Sequence, residues 1–370
     1  MIDIIKKKLI KYEQEHLLNF YDELNEEEKK HLINQIESID FELLTDLKKI
    51  INKKKKKDRF EPIPNYKTNE EYYNIGLEEI KKGYYAVVTM AGGQGTRLGF
   101  DGPKGTYILK YGINKSLFEI QCDRLKNIYN KTDIYVPWYI MTSQTNNKAT
   151  IDFFKKHNYF NYPKDKVEFF TQDELPMIDT NGKIIMDSKF NIKMGANGSG
   201  GVFLALFKSG ILDKMKKNNI KWIYIGGIDN ILSQIDNPDL IGLAIKNNYL
   251  ITTKTTPKLY PEEKVGVFAY RNNKPSVLEY IEINEEMNNK RDKDGNLLYK
   301  DVHTIINLLH ISVLNKIADK SLPYVPAFKK TEYLNDQGEI ITPEKENAYK
   351  FETFIFDGFS YVDKIGLIQG

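Results

Sequence analysis

The residues best suited to chemistry lie in one stretch, Ala91-Gly92-Gly93-Gln94-Gly95-Thr96-Arg97-Leu98-Gly99, which ends at Asp101-Gly102-Pro103-Lys104-Gly105. Glycine at 92, 93 and 95, directly after an apolar run, lets backbone N–H groups turn toward a ligand with no Cβ in the way. Successive N–H groups of this kind form an anion-binding concavity. Arg97 and Lys104 add two fixed positive charges to the same loop, and together these groups suit a polyphosphate. Two common phosphate motifs do not fit. The dinucleotide pattern G-x-G-x-x-G requires glycine where Leu98 stands, and the Walker pattern requires Gly-Lys-Ser/Thr, which Gly102-Pro103-Lys104-Gly105 does not supply. Without its basic residues the loop would read as a tight strand-to-loop turn.

The elements that must hold this loop are legible on both sides of it. Tyr84-Tyr85-Ala86-Val87-Val88-Thr89-Met90 is a β-type run feeding into the glycines. Ser116-Leu117-Phe118-Glu119 fits a capping box, and Phe118, Cys122, Leu125 and Tyr129 form one helical stripe behind it. Cys122 therefore reads as a small core residue, not a nucleophile. Further strands are expected at 134–142, 167–172 and 222–226. Helices are expected at 150–157, at 201–217 and after Asn237-Pro238, with proline at the first helical position. Strands alternating with helices predict an α/β fold on a parallel sheet. Beyond about residue 260 the pattern is mixed. A hairpin is expected at 265–277, a helix at 303–318 and short strands to the end. Residues 1–50 read as helical, with apolar residues at helical spacing among Glu and Lys.

Composition narrows the function classes. The chain has 370 residues, 41% of them hydrophobic, enough for a sizeable core, and 54 basic against 51 acidic side chains leave a net charge of only +3. This is not the composition of a nucleic-acid binder. The run Lys53 to Lys57 reads as a solvated linker, because blocks of like charge repel one another and no aromatic stacking motif accompanies it. One cysteine excludes an internal disulfide and a cysteine-cluster metal site. No signal peptide and no apolar run of membrane-spanning length is visible, so the expectation is a cytoplasmic protein with neither membrane nor nucleic-acid partner. Composition sets no oligomeric state.

The loop, read with the rest of the chain, resembles the eukaryotic-type UDP-sugar pyrophosphorylases, most closely their UDP-N-acetylglucosamine branch. The resemblance rests on Gly92-Gly93-Gln94-Gly95-Thr96-Arg97-Leu98-Gly99 with Pro103-Lys104-Gly105, and on similar stretches in order along the chain. These are Gln14-Glu15-His16-Leu17-Leu18, Met141-Thr142-Ser143, Phe169-Phe170-Thr171-Gln172, Ile228-Asp229-Asn230, Pro261-Glu262-Glu263-Lys264-Val265-Gly266, Leu278-Glu279-Tyr280 and Phe354-Ile355-Phe356-Asp357. It implies a Rossmann-like, GT-A-type nucleotidyltransferase core at 81–320, a helical N-terminal segment and linker at 1–80, and a short C-terminal α+β part at 321–370. It implies a reaction of UTP with a sugar 1-phosphate to give a UDP-sugar and pyrophosphate. Gly92, Gly93 and Gly95 would hold the uridine nucleotide, Arg97 and Lys104 would contact its triphosphate, and Gln172 would read the uracil edge. Gly198 and Ser199, with Gly200 and Gly201, would form a second turn beside base and sugar. Asp229 would help to hold Mg²⁺ (or Mn²⁺), although Asp229-Asn230 taken alone reads equally well as a helix cap. Glu279 would accept from sugar hydroxyls.

Three departures bear on the sugar and on turnover. The second glycine turn reads Gly198-Ser199-Gly200-Gly201 where the resemblance implies an asparagine at the second position. His303 stands where it implies another asparagine, at the start of the helix expected after the hairpin. Both lie where sugar identity would be read, which leaves N-acetylglucosamine 1-phosphate and another hexose 1-phosphate as candidate substrates. The chain ends at Gly370, short of a later phosphate-contacting lysine that the resemblance implies. The alternative expectation is therefore a nucleotide or UDP-sugar binder with weak or no turnover.

Overall fold

The computed structural model describes residues 2–51, 58–110 and 112–370; the lysine run at 53–57 lies outside them. The chain forms two compact units. One comprises Met1–Lys56, Asp173–Ser199 and Pro323–Phe354, and the other Lys57–Gln172, Gly200–Leu322 and Ile355–Gly370.

The first unit opens with three helices, Ile2–Lys11, Glu26–Ser38 and Phe41–Ile51, as the helical spacing of its apolar residues predicts. The second starts at a capping box in which Asn25 and Glu28 satisfy each other's backbone N–H. Their apolar faces, including Leu9, Leu32, Ile36, Phe41 and Leu44, close on Ile178, Ile184, Ile192 and Phe351. Gln14, fully buried, braces this core by donating to the Gly182 carbonyl and accepting from Ile184 N–H.

The second unit is built on one mixed sheet. Its strands are β1 (Asn65–Lys67), β2 (Tyr85–Met90), β3 (Trp138–Thr142), β4 (Val167–Thr171), β5 (Trp222–Gly227), β6 (Ile251–Pro257), β7 (Val267–Arg271), β8 (Lys274–Leu278), β9 (Asp301–His310) and β10 (Gly366–Gln369), with a short edge strand, Phe60–Pro62, antiparallel to β7. Across the main sheet the order is β1-β10-β6-β9-β5-β2-β3-β4, and the β7–β8 hairpin joins through one pairing of β7 with β9. Every neighbouring pair in that order is parallel except those that β9 makes with β5 and β6. The expected parallel sheet thus carries one reversed strand. The chain turns back at the hairpin, and β9 runs antiparallel to both of its neighbours, β5 and β6.

The α-helices are α1 (Glu70–Lys81), α2 (Leu117–Thr132), α3 (Asn147–Lys156), α4 (Gly201–Lys208), α5 (Ile211–Lys217), α6 (Asp239–Asn247), α7 (Glu285–Asn289) and α8 (Ile311–Ile317). Residues from α1, α2, α3 and α6 pack on Tyr85, Val87, Trp138, Ile140 and Tyr224 of the sheet. The alternate residues Ala86, Val88, Tyr139, Met141, Ile223 and Ile225 are buried as well, so both faces are covered, which is why these strands read as continuous apolar runs. α1 and α6 cross backbone to backbone. A Cβ at Gly76 would lie 2.0 Å from the Pro238 carbonyl oxygen, and one at Gly242 would lie 1.9 Å from that of Tyr72.

Several boundaries differ from the sequence reading, each for a local reason. The helix expected over 201–217 breaks at Gly210, which takes φ +75°. Pro238 sits at the N-cap of α6, one residue before its first turn. The segment at 354–357 forms a 3₁₀ helix, Ile355–Tyr361, in place of a strand. The largest difference lies at 303–318. Residues 301–310 pair with β5 and β6 as a strand, and only Ile311–Ile317 is helical. Cys122 is buried in the α2 stripe, and burial pushes its thiol up to about 12. No helix among the described residues is long and apolar enough to cross a membrane.

Candidate active site

The glycine loop leaves the end of β2, where Ala91 N–H donates to Met141 of β3 at 2.7 Å. It then folds onto itself. Gly95 N–H donates to the Gly102 carbonyl at 2.9 Å and Lys104 N–H to that of Gly93 at 3.0 Å, which sets Gln94 opposite Pro103. Residues Thr96–Leu98 make one 3₁₀ turn, stopped by Gly99 at φ +64°. Gly95 is required by packing, since a Cβ there would stand 2.6 Å from the Phe100 ring. In this conformation the N–H groups of Gly92, Gly93 and Gln94 have no acceptor among the described residues. Three consecutive free donors at the carboxyl end of a central strand are the concavity that the glycine spacing predicts.

Charged and polar side chains converge on it. Lys104 Nζ pairs with Asp229 Oδ2 at 3.0 Å, and a Cβ at Gly93 would stand 3.6 Å from that ammonium. Asp229 follows β5, the strand next to β2, so the sheet itself brings the two loops together. Gln172, just past β4, is held by its N–H on the Thr142 carbonyl at 2.9 Å. Its amide lies against Gly92, where a Cβ would come within 2.4 Å of Nε2. Arg97 is exposed on the 3₁₀ turn.

The sugar-side residues form a second group. Gly266 links them, because its carbonyl accepts from His303 N–H at 2.9 Å and a Cβ on it would meet Glu279 Oε1 at 3.3 Å. Burial, reinforced by the neighbouring Glu282, raises the Glu279 carboxyl above its ordinary range. His303 does not cap a solvated helix. It lies in β9 with its ring among Phe268, Phe356 and Phe359, with centroids 5.2–5.9 Å away. Burial pushes its imidazole down to about 4, and Nε2 donates to Asn307 Oδ1 at 3.1 Å. The two groups meet through Asn230, whose Nδ2 donates to the Thr304 carbonyl at 3.1 Å.

Gly198 and Ser199 fall in the first unit. There Gly198 takes φ +85°, and a Cβ would lie 2.3 Å from the Thr353 carbonyl oxygen. Glycine is obligatory at that position on steric grounds alone. Sequence reasoning missed Asn146. It is 1% exposed, and it bonds to the backbone of both the β2 and β3 loops. An Asn just before a helix reads as a cap, and no periodicity distinguishes it.

The fold is of the nucleotidyltransferase class. The UTP--glucose-1-phosphate uridylyltransferase family model matches residues 14–363. A Saccharomyces cerevisiae protein named UDP-N-acetylglucosamine pyrophosphorylase is 38% identical over 317 residues, covering 83% of this chain and 66% of that protein. Arabidopsis thaliana UDP-N-acetylglucosamine diphosphorylase 2 is 32% identical over 98% of this chain and 76% of its own. The solved structure of the Trypanosoma brucei uridine diphosphate N-acetylglucosamine pyrophosphorylase superposes with a TM-score of 0.83 at 28% identity, over 99% of this chain and 78% of that one. The chain belongs to the UTP--glucose-1-phosphate uridylyltransferase family.

Proposed function

We propose that the chain is a uridylyltransferase that joins UTP to N-acetylglucosamine 1-phosphate or another hexose 1-phosphate, releasing pyrophosphate. The observation that carries this reading is the row of free N–H groups at 92–94, set between the Lys104–Asp229 pair and the Gln172 amide. A carboxamide offers one acceptor and two donors, which suits the edge of uracil. The free N–H groups take triphosphate oxygens, and Lys104 and Arg97 neutralise their charge. Glu279 and the free Nδ1 of neutral His303 both accept, so they suit sugar hydroxyls. An oxygen of the sugar phosphate forms the new bond to the α-phosphorus. The bond from that phosphorus to the bridging oxygen breaks, and the electron pair leaves with pyrophosphate. No protein nucleophile is required, and positioning with charge neutralisation lowers the barrier.

Asp229 fits a role in holding Mg²⁺ or Mn²⁺. Its side chain is 57% exposed beside the loop, and Mg²⁺ is usually bound by one or two carboxylates together with substrate phosphates. Among the described residues no cluster of three metal-ligating side chains exists. Bound there, the cation would supply charge neutralisation on the phosphates. The test is pyrophosphate release from UTP with a panel of sugar 1-phosphates, each with Mg²⁺ or Mn²⁺. Release with at least one sugar is expected; silence with all of them overturns the reading.

A further inference from the structure

Asn146 is sealed beneath the glycine loop, yet every bond of its side chain runs to backbone. Oδ1 accepts from Ser143 N–H at 2.9 Å, while Nδ2 donates to the Ala91 carbonyl at 3.0 Å and to the Gly93 carbonyl at 3.3 Å. One carboxamide therefore ties the loop after β2 to the loop after β3. A peptide unit is planar, and with no cis bonds here its C=O and N–H point in opposite directions. Turning the Ala91 and Gly93 carbonyls inward onto Asn146 turns the N–H groups of Gly92 and Gln94 outward. These are two of the three donors left without a protein acceptor.

We propose that Asn146 is a positioning residue for the nucleotide, orienting the backbone donors that receive its phosphates without touching the nucleotide itself. The inference rests on the uridylyltransferase reading and adds to it which side chain presets the anion site. The residue type follows from the chemistry. Two carbonyls require two N–H donors, and the Ser143 N–H requires an acceptor, so the carboxamide matches all three. A carboxylate of the same shape keeps the acceptor, loses both donors and sets negative charge against two carbonyl oxygens.

The experiment compares UTP titration and steady-state kinetics for the wild-type chain, Asn146→Asp and Asn146→Thr. For Asn146→Asp, UTP affinity is expected to fall about 10–100-fold, about one to two steps of 1.4 kcal/mol. The KM for the sugar 1-phosphate is expected to hold within about twofold, a split that a general loss of structure would not give. The threonine hydroxyl retains one donor, so Asn146→Thr is expected to fall between the two. Wild-type affinity for UTP in the Asp variant overturns the proposal. So does a joint fall of both substrates' affinities and of Tm in both variants, which marks Asn146 as structural only. A wild-type chain that does not bind UTP overturns the reading of the site, and the role of Asn146 with it.

Discussion

The ion pair between Lys104 and Asp229 joins the two side chains that the proposed reaction would separate, one going to the triphosphate and the other to the cation. Half-exposed pairs of this kind contribute little to stability, typically below about 1 kcal/mol. Lys104→Ala is therefore expected to fold normally and to lose turnover about 10²–10³-fold, the scale for removing one preorganised stabiliser. Near-normal pyrophosphate release in that variant would take Lys104 out of the mechanism. His303 makes a different prediction. Its folded pKa of about 4 lies below the ordinary 6.5, so between those values the unfolded chain binds more protons than the folded one. Its contribution to stability is complete above pH 6.5 and is lost as pH falls toward 4. Urea midpoints measured across that window should drop more steeply for the wild type than for His303→Asn, and equal slopes would refute the assignment. The glycines, Arg97 and Lys104 stood out from residue type and spacing, because an anion-binding loop announces itself locally, whereas Gln172 and Asp229 were singled out only by the family resemblance. His303 was misplaced because its aromatic neighbours arrive from the hairpin and from Ile355–Tyr361, both remote in sequence.

Among the elements, β9 shows where local pattern yields to tertiary pairing. Thr253 pairs with Asn307 and Thr255 with His303, so one residue on β6 faces three on β9. This bulge turns Thr304 toward Asn230 and Lys254, and it leaves Ile305 at φ +58°. A β-branched residue there is strained, and no apolar period reports it. Ile305 is exposed, so Ile305→Asn, a residue that tolerates that conformation, is expected to stabilise the protein by about 0.5–1 kcal/mol. A lower Tm would contradict this. The crossing of α1 and α6 predicts the opposite sign. Gly242→Ala forces the two backbones apart and should cost about 1–3 kcal/mol in denaturant unfolding. By propensity alone the same change in a helix would be favourable, which is why sequence reading could not see this contact. The strands around the loop were readable because burial on both faces leaves continuous apolar runs. The break at Gly210 and the strand at 301–310 depend on partners elsewhere in the chain.

At the scale of the molecule, the chain leaves and re-enters its two units four times after its first passage, at 172/173, 199/200, 322/323 and 354/355. Neither unit is a continuous stretch, so the division is invisible to composition. The proposed phosphate and uracil contacts at 92–94, Arg97, Lys104 and Gln172 belong to the sheet-bearing unit, and UTP is expected to stabilise it by mass action. At about one hundred times its Kd, the nucleotide should contribute about 2.7 kcal/mol, read as a rise in Tm that scales with ligand concentration. The central sheet also sets an order of events. β10 lies between β1 and β6 and is hydrogen-bonded on both sides, yet it follows both of them in the sequence. A ribosome that has released everything up to Ile365 has still made only a sheet with an open slot. The closing strand is delivered more than a hundred residues after the neighbour it must join, so a nascent chain holds two unsatisfied edges apart until synthesis passes that point.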